Sequence, residues 1–292
     1  MTTYYDRPLL KAPVWEWTIS GYYYVGGLTG ASLVLGAAAQ LGDADGRRAL
    51  IRRCHWIGFT GCTVSAILLV WDLGRPERFF NMLRVFRPTS PMNMGAWILT
   101  ATSAGAAGAL ITGGRPVACL AGVCGAALAT YTGVLVGNSA IPVWQQARQV
   151  LPILFGFSAM ASTGSVFNLL AANEQEHRIS GLFGVTGQAA ELAAAFAMER
   201  RVSTVPSVGR PVKHGRSGLM WQAGTVFTAV SLLVTLLPGK SRKKRVAAGI
   251  LGTLGSALMR FSIAAIGTAS ARDPRATFDQ QLISSALHPS RR

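Results

Sequence analysis

The sequence predicts an all-α integral membrane protein, with eight transmembrane helices arranged as two four-helix bundles. Three observations predict it. Half of the residues are hydrophobic and only 14% are charged, against about 25% charged in typical soluble domains. The apolar residues gather into uncharged or nearly uncharged runs. The net charge of +16 sits in the segments between those runs.

The runs occupy roughly 20–41, 55–71, 95–112, 116–137, 150–172, 179–198, 219–238 and 246–269. Each has about the 17–25 residues that a helix needs to cross ~30 Å of hydrocarbon. Helices are expected because backbone groups in lipid must be satisfied internally. The first run is read as a span and not as a secretory signal, since it is too long and lacks a compact basic start. It carries Gly26 and Gly30 at GxxxG spacing, which permits close helix approach. The second run is the shortest and ends at Asp72; the third is rich in Ala and Gly. The fourth repeats the GxxxG spacing at Gly133 and Gly137. The fifth is almost wholly apolar, the sixth carries Glu191, the seventh has no charge, and the eighth carries Arg260. A soluble α-protein would show amphipathic spans with a charged face, and these have none.

The connections are short except 72–94, 199–218 and the tail after 270. The 138–149 connection divides the chain into a first bundle at 1–149 and a second bundle with the tail at 150–292. Eight spans put both termini on one face, with 72–94, 138–149 and 199–218. The basic residues fit anionic lipid and the positive-inside rule more simply than nucleic acid. Their number leans toward cytoplasmic termini. Their density leans the other way, with Arg47, Arg48, Arg52 and Arg53 in one short segment and 240–245 in another. Cys54, Cys62, Cys119 and Cys124 form no CxxC pair and read as small buried hydrophobes.

Several polar groups converge on the terminal face. Trp15 and Trp17 precede Tyr22, Tyr23 and Tyr24 in the first turns of span one. Asp72 and Arg75 follow span two. Tyr131 lies about 22 Å along span four, rising toward the same face. An aromatic belt with helix-end charges would look similar. Within the spans, Glu191 and Arg260 reach similar depth, ~18 and ~21 Å along their helices. Charges there usually pair or line a watery path. The two are expected to pair or to bracket a polar cavity, as a buried ion pair or as a proton path. Only His55 among the four histidines is near a span, so a bis-histidine haem is not expected.

Ordered motifs suggest a family. They are Trp15-Glu-Trp17 leading into Tyr24-Val-Gly-Gly-Leu28; Asp72-Leu-Gly-Arg-Pro76; Pro88-Thr-Ser-Pro91 with Gly95-Ala-Trp97; Tyr131-Thr-Gly-Val-Leu135 followed by Pro142-Val-Trp144; and Arg260 with Ala269-Ser-Ala-Arg-Asp-Pro274. In these the chain resembles the NrfD/PsrC family, the membrane subunits of polysulfide reductase and related molybdenum or multihaem respiratory complexes. The resemblance implies a quinone-reactive anchor, with quinone or menaquinone as substrate and no haem or metal of its own. It implies a docked four-cluster, ferredoxin-like iron–sulfur subunit and a catalytic subunit of the molybdopterin type. In polysulfide reductase a histidine in the first span and a tyrosine in the fourth contact the quinone. The tyrosine position matches Tyr131 and the histidine position matches Tyr22, a departure. A phenol can hydrogen-bond a quinone carbonyl but cannot shuttle protons near neutral pH as imidazole can. Asp72 is therefore the candidate for the proton role.

The expected function is a membrane-anchor subunit of a respiratory oxidoreductase that binds quinone or quinol and is not catalytic alone. The quinone-binding candidates are Tyr22, Asp72, Arg75 and Tyr131. Arg78, Arg84 and Arg87 are candidates for docking the iron–sulfur partner, with lipid headgroups as the alternative contact. By the resemblance, the protein lies in the plasma membrane with its termini and quinone end outside. A multi-span transporter would show broken helices or repeated polar motifs near the midplane. A passive anchor would lack a cavity near Tyr131 and Asp72.

Overall fold

A computed structural model describes residues 10–13, 15, 17–75, 77–170, 173–239 and 241–279, without the side chain of Arg78. Glu16, Pro76 and the end of the tail from 280 lie outside the described residues. The described residues form eleven helices and no strand. Eight of the helices are long: α1 (Trp17–Leu41), α2 (Arg48–Asp72), α4 (Pro91–Thr112), α5 (Arg115–Gly137), α7 (Leu151–Leu170), α8 (Glu174–Val202), α10 (Gly215–Leu236) and α11 (Arg242–Arg272). Short helices α3 (Glu77–Arg84), α6 (Pro142–Gln146) and α9 (Pro206–Lys213) lie in the three longer connections.

Among the described residues, seven helices are long and apolar enough to cross a membrane: α1, α2, α4, α5, α7, α10 and α11. The chain is a multi-pass membrane protein. The sixth expected span, α8, is a helix of 29 residues but a more polar one. It has Glu174 and Glu176 in its first turn, Arg200 and Arg201 in its last, and Glu191 between.

Several helices outrun their apolar runs. The α2 helix starts at Arg48, not near 55, so Arg48, Arg52 and Arg53 stand on a helix and not in a loop. Long arginine stems can lie along apolar surface with the charge held outward, so charge does not end a helix. Arg53 also has a specific partner: Nη1 donates to Glu176 Oε2 at 2.6 Å and to Leu170 O at 2.8 Å, tying α2 to the start of α8. Asn173 caps that start by accepting from Glu176 N at 2.8 Å.

Helix α1 packs on α2 and α5, and α4 on the same two. Helix α7 packs on α8 and α11, and α10 on the same two. Helices α1 and α5 also meet α7, and α1 meets α11. Small residues make the tightest seams. A Cβ on Gly30 would overlap the Gly125 carbonyl, and one on Gly164 would overlap the Gly184 backbone. The GxxxG pairs are less symmetric than their spacing: Gly30 faces α5, whereas Gly26 faces Tyr22 and Ser65.

One end of the molecule collects Trp15, Asp72, α6 and the end of α11. Trp144 on α6 is fully buried. Its Nε1 donates to Ile263 O at 3.0 Å, and its ring stacks on Trp15 at 5.1 Å. Gly267 leaves room for that ring, which a Cβ would overlap. The opposite end holds the Arg53–Glu176 pair and an Arg245–Glu174 pair at 3.6 Å.

Candidate functional site

At the terminal end, the first turns of α1, the ends of α2 and α3, the start of α4, and the end of α5 enclose a cavity of about 310 Å³. Its wall is mostly apolar, from Ile19, Leu69, Leu73, Met82, Met92 and Leu135. Into it come Tyr22, Tyr23, Asp72, Tyr131, Thr132 and Ser139. Three of the four expected quinone residues are thus brought together.

Local structure explains each position. Asp72 is the last residue of α2, and its Oδ1 accepts from Thr18 Oγ1 at 3.0 Å. That bond crosses from the first turn of α1 and fixes the carboxylate at the cavity edge. Tyr22 and Tyr23 are neighbours on α1, with ring centroids 6.1 Å apart. Tyr23 is packed edge-on against Phe155 of α7 and Trp15. Tyr131 Oη donates to Pro91 O, at the start of α4. Gly95 lets the Tyr131 ring lie against α4, since a Cβ there would sit 3.0 Å from that ring.

The loop between α2 and α4 is folded by one side chain. Asn93 Oδ1 accepts from Arg87 N at 2.7 Å, while Nδ2 donates to Met82 O and to Val85 O at 2.8 Å. Ser90 caps α4 through Asn93 N. This holds Met82 and Pro91 in the cavity wall.

Arg75 is exposed and stands outside the lining. After α2 the chain turns through Gly74 at φ 65, a left-handed conformation that glycine adopts freely, and leads Arg75 away. Arg84 and Arg87 are exposed on the same side, after the cavity wall. The Arg78 side chain lies outside the described residues.

Sequence reading missed Thr132 and Ser139 as lining groups. Both hydroxyls are buried without a partner among the described residues. Thr132 stands on α5 but Ser139 lies two residues past its end, so helical spacing does not join them and gave no signal. It also missed Thr18 and Asn93, which position other groups and show only through tertiary contacts.

Glu191 and Arg260 are both fully buried, away from this cavity. They form no direct ion pair, although each lies within the other's electrostatic reach. Arg260 Nη2 donates to Phe155 O at 2.5 Å, and its guanidinium lies 4.0 Å from the Phe155 ring centroid. Gly27 of α1 makes room for that guanidinium, which would stand 2.9 Å from an added Cβ. Glu191 Oε2 accepts from Ser256 Oγ at 3.5 Å, with Ser158 and Thr228 beside it.

Residues 8–113 match the family model described as polysulphide reductase, NrfD. Over this stretch, about a third of the chain, the sequence is similar to NrfD. The NrfD match spans Trp15, Tyr22, Asp72 and the α2–α4 loop and stops before Tyr131. No curated protein matches the chain in sequence. The bd oxidase from Geobacillus thermodenitrificans is similar in structure, with a TM-score of 0.58 over 85% of this chain and 83% of that one. At 12% identity the likeness is one of fold alone.

Proposed function

We propose that the protein is the quinone-binding membrane anchor of a respiratory oxidoreductase complex. The observation that carries this reading is the apolar cavity in which Tyr22, Asp72 and Tyr131 meet. Its volume is near the lower end of the ~300–1,000 Å³ range of small-molecule sites, a size suited to one ring. The lining suits a quinone head: an apolar slot, hydroxyl donors at Tyr22, Thr132 and Ser139, and a carboxylate at the edge. A quinone supplies two-electron, two-proton chemistry. Tyr22, Thr132 and Ser139 would hydrogen-bond its oxygens. Asp72, held by Thr18, would take or give protons at its free Oδ2. Tyr131 would position the ring, since its hydroxyl proton is engaged by Pro91 O.

In this reading all eight long helices cross the membrane, α8 included, with its mid-helix Glu191 buried beside Ser256, Ser158 and Thr228. Helices α1, α2, α4 and α5 form one four-helix bundle within 1–149. Helices α7, α8, α10 and α11 form the other within 150–292. The plasma membrane is the expected location, with the termini and the quinone end outside. Electrons pass to or from a four-cluster iron–sulfur subunit seated on the α2–α4 loop, and on to a molybdopterin-type catalytic subunit.

Tyr131→Phe tests the site. It removes only the hydroxyl, so the complex should assemble while quinone-coupled turnover falls about tenfold, near the 1.4 kcal/mol scale of one hydrogen bond. Unchanged turnover counts against the site. Reversing Arg75, Arg78 and Arg84 to Glu together tests docking. The partner should then be lost on purification, and full co-purification would remove this loop from the interface.

A further inference from the structure

A second concave site lies at the opposite end of the molecule. A cavity of about 630 Å³ opens between the end of α1, the start of α2 and the end of α4. Arg48, Arg52 and Asp45 stand around it, with Gln40 and His55 on its inner wall and Ile51, Ala109 and Leu110 as an apolar floor. From the geometry we infer that this cavity binds the headgroup of a monoanionic, hydroxyl-bearing phospholipid of the phosphatidylglycerol type.

Charge sets the class. Both arginines are exposed, and Arg48 Nη2 donates to Asp45 Oδ1 at 2.8 Å. Two guanidiniums against one carboxylate leave a single positive charge. That matches the one negative charge of a phosphodiester, whereas the Asp45 carboxylate repels a more highly charged phosphate. A zwitterionic headgroup would leave the excess charge unmatched.

Gln40 sets the rest. It is 5% exposed, and its Nε2 donates to Gly113 O at 2.7 Å, which fixes the amide orientation. Its Oε1 is buried without a partner among the described residues. A buried acceptor left unsatisfied is costly, so the site asks for a donor, and a headgroup hydroxyl supplies one. His55, 3% exposed, adds a ring nitrogen that also has no partner among those residues.

Depth fits a lipid better than a free ion. Arg48 and His55 are seven residues apart on α2, about 10 Å along its axis, so the site runs from a charged rim to an apolar floor. Beside His55, Trp56 and Phe59 are exposed and packed edge-to-face at 6.3 Å. Aromatic residues of this kind mark the headgroup level.

The full chain, purified in mild detergent and stripped of lipid, should be titrated with phosphatidylglycerol, phosphatidylethanolamine and phosphatidylcholine under native mass spectrometry. One phosphatidylglycerol should bind and outlast the other two. Arg52→Gln, at an exposed position, should weaken it about fivefold, and adding Arg48→Gln should weaken it as much again. Arg242→Gln with Lys243→Gln, which removes equal charge at the same end, should change nothing. Equal retention of a zwitterionic lipid would overturn the assignment. Displacement by millimolar inorganic phosphate would overturn the lipid as ligand in favour of a free anion. Equal loss in both double variants would reduce the effect to bulk charge and remove the site.

Discussion

Asp72→Asn should lower quinone-coupled turnover by about a hundredfold, the lower end of what a positioned acid or base contributes. The substitution is nearly isosteric. The new amide would keep an oxygen to accept from Thr18 Oγ1, so the link between α1 and α2 survives. What disappears is a group that can exchange a proton at the mouth of the cavity. The comparison that decides it is with Tyr131→Phe in the same membrane-bound complex, with a soluble menaquinol analogue as substrate. A proton role demands a much larger loss for Asp72→Asn. If both variants lose the same few-fold activity, Asp72 holds the loop in place and protons travel elsewhere.

Arg260→Met should be the most destabilising single change in the second half of the chain. Losing a buried hydrogen bond made by a charged group typically costs about 1.5–3 kcal/mol. The variant would lose the bond to Phe155 O, the contact with the Phe155 ring, and the charge nearest to Glu191. Thermal unfolding in detergent should show a lower midpoint. Adding Glu191→Gln should recover a good part of that loss if the two groups balance each other across the interior. No recovery would make them independent, with Arg260 serving only the α7–α11 seam. A recovered double variant with normal quinone turnover would place the pair in structure rather than in proton transfer.

Much of this was legible in the chain. Length and apolar character give away seven helices, because crossing lipid leaves a helix few compositional choices. Tyr22, Asp72 and Tyr131 were readable for a related reason. Polar groups are scarce in such a chain, so those near helix ends on one face have few other places to be. Arg75 misled because sequence adjacency to Asp72 says nothing of the left-handed turn at Gly74. The first turns of α2 were missed because arginines at a membrane surface are compatible with helix and loop alike. Counting residues brought Glu191 and Arg260 near each other, and they lie within each other's electrostatic reach. Counting along two helices does not fix which way each side chain leaves its axis, so it left open a direct pair or a bracketed polar cavity; Arg260 turns to Phe155 and Gly27.

Phe155 touches both systems. Its ring meets the edge of Tyr23, which lines the cavity, and also lies under the Arg260 guanidinium. Its carbonyl holds the same guanidinium. One residue of α7 thus stands between a cavity wall and a buried charge. The two halves of the molecule therefore share a keystone rather than a flat boundary. A ligand that shifted Tyr23 would press on the seat of Arg260 without any helix having to move.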